Sequence, residues 1–340
     1  MKNSNLNDFL NGLPKVELHN HLEGAVPIKA LWKLMEKYNG LDDIRNIDDL
    51  KNRFQYKNFS HFLENWVWIN QFLREYEDFT FLSKEVANHL KSQNIKYAEL
   101  FYTPGRHVEK KLKPQKVTEA IIAGFKCYEA DIDLNLICDL SRDSGPEDGI
   151  KIFEQINEVK ELGVIGIGIG GSEHLYPPKP FKELYEMARN NNLHTTAHAG
   201  EASGSMSIWS AINDLKVERI GHGTRAIEDS NLVHYLYENQ IPIEMCPISN
   251  LKTGVVHHFK EHPIKPFFER GLQVFVNTDD PTLFNNSLKD EYASLIGELD
   301  FELNDIKQLI QNGIKSAWCH DDKKTELYDC LNEYFLEKSE

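Results

Sequence analysis

Four short stretches, far apart in the chain, hold side chains that could do chemistry together. His19-Asn20-His21 sets two imidazoles two residues apart, which puts them on one face of an extended strand. The stretch Leu193 to Glu201, LHTTAHAGE, alternates Leu193, Thr195 and Ala197 with His194, Thr196 and His198, a pattern that suits a short strand. Gly200 then permits a sharp turn, so His198 and Glu201 reach the same rim. Gly221-His222-Gly223 flanks a histidine with glycines, and Thr278-Asp279-Asp280-Pro281 sets two carboxylates at a turn. Singly, each stretch has a duller reading: strand-end histidines are often structural, and Asp-Asp-Pro is an ordinary turn. Jointly, His19, His21, His198 and Asp279 make a nitrogen and oxygen donor set suited to Zn²⁺ with room for a water. Such an ion would make water nucleophilic toward an electron-poor sp² carbon. Glu201 and Asp280 would handle protons at ring nitrogens, His222 would orient the attacking oxygen, and Asp279 could also accept the water's proton.

Those residues need a frame that brings distant strand ends to one place. Eight short apolar runs recur along the chain: Val16–Leu22, Tyr97–Tyr102, Leu134–Leu140, Val164–Ile169, Leu193–Ala197, Arg219–Gly221, Ile241–Cys246 and Leu272–Asn277. Amphipathic segments separate them, such as Pro27–Tyr38 with Ile28, Leu31, Leu34 and Met35 on one face. Alternating strand and helix implies a parallel sheet. Eight repeats suggest closure into a (β/α)8 TIM barrel, whose chemistry lies beyond the C-terminal strand ends. An open doubly wound sheet is disfavoured because no Gly-x-Gly-x-x-Gly follows the first run. Gly166, Gly168, Gly170 and Gly171 fall in and just after the fourth run, where they leave room for something to approach the backbone. The insertion Asn58–Tyr76 after the first strand is rich in aromatic residues, among them Phe59, Phe62, Trp66 and Phe72. It reads either as a helix packed on the barrel or as an apolar lid over the pocket mouth. Ser287–Leu299, Leu303–Trp318 and Lys323–Leu336 read as extra C-terminal helices, and residues 1–340 as one domain.

Composition narrows the partners. The chain of 340 residues carries 38 basic and 53 acidic residues, a net charge of −15, which argues against nucleic acid or an anionic membrane as partner. The five cysteines form no Cys-x-x-Cys pair, so a thiolate zinc site and a disulfide framework are not expected, and a reducing cytoplasm fits. Neither a signal peptide nor an apolar run of about 20 residues is found.

The motifs His19-x-His21-Leu22-Glu23-Gly24, His198-Ala199-Gly200-Glu201, Gly221-His222-Gly223 and Thr278-Asp279-Asp280-Pro281 resemble, in type and order, the adenosine deaminase family of the metal-dependent amidohydrolases. The resemblance implies one zinc held by His19, His21, His198 and Asp279. It implies Glu201 as proton donor to purine N1, His222 positioning the attacking hydroxide, Asp280 facing N7, and the backbone of Gly171 facing N3. No lysine ends the fourth run, so the two-metal branch with a carboxylated lysine is not expected. Two features bear on substrate. Glu23 stands where adenosine deaminases usually have an aspartate for the ribose 5′-hydroxyl, a pattern familiar from adenine deaminases, whereas Gly221-His222-Gly223 is closer to the nucleoside enzymes. The run Arg219–Asp229, with Pro281-Thr282-Leu283-Phe284, is similar to members that deaminate 6-aminodeoxyfutalosine, an adenine nucleoside with a 5′ carboxyphenyl group. Arg106 and Arg142 could meet that carboxylate, or pair with a local acid such as Asp139 or Asp143. The expected reaction is conversion of the 6-amino group of a purine nucleoside to a 6-oxo group, adenosine to inosine plus ammonia. Adenine and aminodeoxyfutalosine are the alternative substrates. A catalytically inactive binding protein of the same fold would lack a ligand or the acid, yet every position is filled.

Overall fold

The computed structural model describes residues 3–40 and 44–338. Eight strands run parallel in chain order: β1 Lys15–His21, β2 Ile95–Tyr102, β3 Asp133–Asp139, β4 Val164–Gly168, β5 His194–Ala199, β6 Arg219–His222, β7 Ile243–Met245 and β8 Val274–Val276. They match the eight apolar runs with shifts of a few residues at the ends. The strands are buried along nearly their whole length because helices cover the outside of the sheet. Closure of the barrel falls on a site residue. Asn20 and Asp279 form the bridge between β1 and the segment after β8, where His21 N–H donates to Asp279 O (2.8 Å) and Asp279 N–H donates to His19 O (3.0 Å). Beside it, the β1 register shifts between Glu17 and Asn20, an irregularity of the kind that re-aims side chains near a site.

The connection from β1 to β2 is longer than the insertion read from sequence. It holds helices Ile28–Lys37, Ile47–Arg53, Phe59–Asn70 and Tyr76–Ser92. The last is amphipathic, burying Phe79, Leu82, Val86, Ala87 and Leu90. The C-terminal helices are Leu288–Leu299, Leu303–Ser316 and Asp321–Glu337. No helix among the described residues is long and apolar enough to cross a membrane.

Two of the β4 glycines make room for packing rather than for a ligand. A Cβ at Gly166 would meet Trp318 at 2.8 Å, and one at Gly168 would meet Phe101 at 2.7 Å. Polar groups fill part of the barrel interior. Arg219 pairs with Glu99 (2.6 Å) and Glu244 (2.7 Å), donates to Ser316 O (3.0 Å), and stacks on Trp318 at 3.5 Å. Glu99 also accepts from Tyr97 Oη (2.9 Å) and Trp318 N (2.6 Å). Removing one member of such a set strands the others without water. Arg219→Met is therefore expected to cost about 3–5 kcal/mol, read as a lowered denaturation midpoint with the slope unchanged.

Candidate metal and catalytic site

The C-terminal ends of β1, β5, β6 and β8 converge. His19, His21, His198 and Asp279 are buried, and their donor atoms lie within 4.8 Å of one another. His19 Nε2 is 3.1 Å from His198 Nε2, and His21 Nε2 is also 3.1 Å from His198 Nε2. Asp279 Oδ1 lies 3.3 Å from His21 Nε2 and 3.7 Å from His19 Nε2. Ligands at 2.0–2.1 Å in a tetrahedron are about 3.3 Å apart, so these spacings fit one small cation. The tautomers support the same reading. His198 Nδ1 faces the Ile169 carbonyl (3.2 Å), which only accepts, so Nδ1 carries the hydrogen. His19 Nδ1 donates to the Glu244 carboxylate (2.6 Å), kept ionised because Arg219 and His19 outweigh its burial. The Nε2 lone pairs of His19 and His198 therefore point at each other, an arrangement that a cation between them relieves.

Electrostatics separate the acids. Burial pushes the Glu201 carboxyl well above the usual carboxylate range, with Asp279 and Glu173 adding to it. Burial, Asp279 and Glu23 likewise raise Asp280. Burial would raise Asp279 too, but the His21 hydrogen bond and the neighbouring imidazoles hold it low. The same acids favour positive charge here: although burial opposes it, Asp280 and Asp279 lift His21 to about 10. His222 goes the other way, burial bringing it down to about 3. Its Nε2 stands 3.6 Å from Glu201 Oε2 and 4.0 Å from Asp279 Oδ2. His222 (φ 61°) and Asp279 (φ 64°) both adopt the left-handed backbone region, unusual for non-glycine residues and typical of sites where geometry is imposed.

A cavity of about 490 Å³ opens onto His21, His198, Glu201, His222, Asp279 and Asp280, and Gly170 and Gly171 line it too. Its outer wall comes from the helix Phe59–Asn70 through Phe59, Phe62, Leu63, Trp66 and Val67. That helix both packs on the barrel, burying Phe62, Trp66 and Ile69, and covers the mouth, so the two readings of the insertion describe its two faces. Gly171 (φ 105°) needs its glycine, since a Cβ there would lie 2.0 Å from Asp143 Oδ2. Gly24 is equally constrained, a Cβ lying 1.7 Å from Asp280 Oδ1. Glu23 is buried; its Oε1 accepts from Thr103 N (2.9 Å), its Oε2 has no partner among the described residues, and burial raises it to about 7. Glu23 is not among the lining residues, whereas Thr103 is.

The two arginines part company. Arg106 lines the cavity with no acid partner among the described residues, and its Nε is unpartnered. Arg142 does not reach the cavity. It is fully buried, and its guanidinium donates to Tyr176 O (2.8 Å) and His198 O (2.5 Å), joining the β5 end to the β4 loop. The expectation that Arg142 contacts substrate is corrected on that ground. Sequence reasoning also passed over Glu173, whose carboxylate accepts from the backbone N–H of Gly200 (2.6 Å), Glu201 (3.1 Å) and Ser203 (2.9 Å). It thereby pins the turn that presents Glu201. Ser249, which donates to Asp279 Oδ2 (2.6 Å), was unmarked as well.

Comparison with known proteins follows the same lines. A family model described as adenosine deaminase matches residues 14–334. An adenosine deaminase from Clostridium acetobutylicum is 33% identical over 335 residues, 96% of this chain and 100% of its own. An adenine deaminase from Ectopseudomonas mendocina is 34% identical, covering 90% and 98%. An aminodeoxyfutalosine deaminase from Streptomyces avermitilis is 32% identical, covering 92% and 88%. Among solved structures, an adenine deaminase from Arthrobacter aurescens superposes with a TM-score of 0.91 at 27% identity, covering 95% of this chain and 99% of its own. A zinc-bound amidohydrolase from Burkhoderia ambifaria reaches 0.89 at 27%, covering 97% and 93%.

Glu244 touches the cluster only through His19, so Glu244→Gln is expected to weaken metal affinity by about 10–100-fold. Competition with a chromophoric chelator measures this directly.

Proposed function

The chain belongs to the adenosine deaminase family and is a hydrolytic deaminase of adenine-type substrates, and from that premise we propose that it converts the 6-amino group of an adenine nucleoside to a 6-oxo group with release of ammonia, using one zinc ion. His19, His21, His198 and Asp279 would hold the ion. The observation that carries the nucleoside reading is the cavity itself. It joins Gly171, Glu201 and Asp280 to the His/Asp cluster and then continues to Trp66 and Arg106, leaving space for a group beyond the base. Residues 1–340 act as one catalytic domain, and five free thiols suit a cytoplasmic setting.

Bound zinc supplies Lewis acidity that makes a water nucleophilic near neutral pH. The chain's own groups do the rest. Glu201 keeps its proton by burial and gives it to N1, leaving C6 electron-poor. His222 orients the attacking water, and Asp279 Oδ2 takes the proton that water loses. Oxygen adds at C6; Asp279 passes the proton it took to the amine, the C6–amine bond breaks and ammonia leaves, while the proton of the added hydroxyl returns to Glu201, leaving a 6-oxo group. Protonated Asp280 donates to N7 and the Gly171 backbone faces N3, whereas Glu23, like Arg142, does not line the cavity and serves by holding the Thr103 N–H at its wall. The helix Phe59–Asn70 limits water at the reacting carbon.

A second reading has its own observation. Arg106 lines the cavity with its guanidinium over the Trp66 ring (5.6 Å) and no acid partner among the described residues, a partner for an anionic 5′ substituent such as the carboxylate of 6-aminodeoxyfutalosine.

Ammonia release by zinc-loaded protein from adenosine, adenine and 6-aminodeoxyfutalosine separates these readings. Turnover of a nucleoside well above adenine is expected; turnover of none removes the assignment. Arg106→Ala is expected to lower kcat/KM about tenfold or more for a carboxylate-bearing nucleoside and little for adenosine. Glu201→Gln is expected to keep its metal and lose more than about 10²-fold in kcat. Because the protonated acid is the working form, the rate falls as pH rises through the elevated Glu201 pKa.

A further inference from the structure

Behind His222 lies a buried polar chain that the reaction does not touch. Asn250 Nδ2 is 3.2 Å from His222 Nδ1. Asn250 Oδ1 receives the Thr224 hydroxyl (3.1 Å) and lies 3.1 Å from His262 Nε2. His262 Nδ1 in turn lies 3.2 Å from the backbone N–H of Ile264, the first residue of the helix Ile264–Glu269. All four side chains are buried.

Only one arrangement of hydrogens satisfies this chain. The Ile264 N–H can only donate, so His262 Nδ1 must present a lone pair. Burial holds His262 neutral, its pKa brought down to about 3, so its Nε2 carries the hydrogen. That hydrogen needs an acceptor, which fixes the carbonyl end of Asn250 toward His262 and Thr224. The amide end then faces His222 and donates to Nδ1. Flipping Asn250 would leave His262 with two acceptor nitrogens, which neutral imidazole does not offer.

We infer that Asn250 and His262 are positioning residues that lock His222 in the Nε2–H tautomer, so that it meets the reacting water as a hydrogen-bond donor and not as a base. The chain begins at a helix N-terminal amide, an orphan donor of the kind every helix start possesses, and ends at the nitrogen facing Glu201 and Asp279. Acceptance of the water's proton is thereby left to Asp279. The inference rests on the deaminase reading for its consequence, but not for its structural content.

The test uses zinc-loaded full-length protein labelled with ¹⁵N-histidine, read by two-bond ¹⁵N–¹H correlation, with the His222 signals assigned by their loss in His222→Gln. His222 and His262 are both expected to be protonated at Nε2 alone. Asn250→Asp puts an acceptor opposite His222 Nδ1 and is expected to move the hydrogen there. A wrong tautomer costs a serine-protease triad about 10⁴ in kcat. Here a loss above about 10²-fold in kcat is expected, with KM within about threefold and zinc content unchanged. His262→Gln, which retains a donor toward Asn250, is expected to lose less kcat than His262→Leu. Protonation of His222 at Nδ1 in the unmutated protein overturns the inference, even if Asn250→Asp does not fold. So does an Asn250→Asp protein of unchanged kcat, or equal losses in the two His262 variants. The ¹⁵N reading needs no turnover, so its failure is distinguishable from failure of the substrate assignment.

Discussion

Two imidazole lone pairs face each other at the barrel mouth, and the rest of the structure serves to hold them there. His19 and His198 cannot turn away, because each spends its other nitrogen on a buried acceptor, Glu244 in one case and the Ile169 carbonyl in the other. Glu244 is itself fixed by Arg219 and Thr196, and Arg219 by Glu99. A line of buried charges thus runs beneath the site from the packed interior to the cluster. Such a line is a poor source of stability, since desolvation consumes most of what the charges gain. Its value here is direction: a donor set built on strands and braced from below presents a cation with ligands already in place.

The same enclosure sorts the carboxylates by task. Asp279 sits among imidazoles and stays ionised, whereas Glu201 and Asp280 are raised mainly by burial and by the Asp279 charge and keep their protons. Groups of one chemical type, within one cavity, become an acceptor and two donors through their neighbours alone. Glu173 contributes twice, by holding the turn that delivers Glu201 and by adding negative charge that keeps Glu201 protonated. The helix Phe59–Asn70 makes the arrangement effective by lining the mouth with aromatic groups, because charge differences fade where water enters.

Much of this was legible in the chain. Eight apolar runs gave eight strands, since strands buried on both faces must be apolar and short. His19-x-His21, His198, His222 and Asp279 stood out because they end those runs, and a parallel barrel sends every strand end to one face. What escaped notice depends on direction, which local pattern does not encode. Arg142 follows β3 as a substrate-contacting residue might, yet turns inward to carbonyls. Gly166 and Gly168 looked like space for a ligand and instead admit Trp318 and Phe101. Glu173 acts on a turn 27–30 residues downstream, and no spacing rule announces such a partnership. The helix Tyr76–Ser92 had a readable apolar face, but the aromatic cluster before it drew the boundary too early.

Four donors must share one ion at the barrel mouth, and the ligand shell can be read directly by X-ray absorption at the zinc edge on the loaded protein. His19, His222 and Cys246 form one competing group of potential ligands and Glu201, His222 and Asp279 another, so the presence of sulfur and the number of imidazoles discriminate. The predicted spectrum shows only nitrogen and oxygen at about 2.0–2.1 Å with imidazole scattering from three histidines. A sulfur shell near about 2.3 Å, or a protein that takes up no metal, would contradict it.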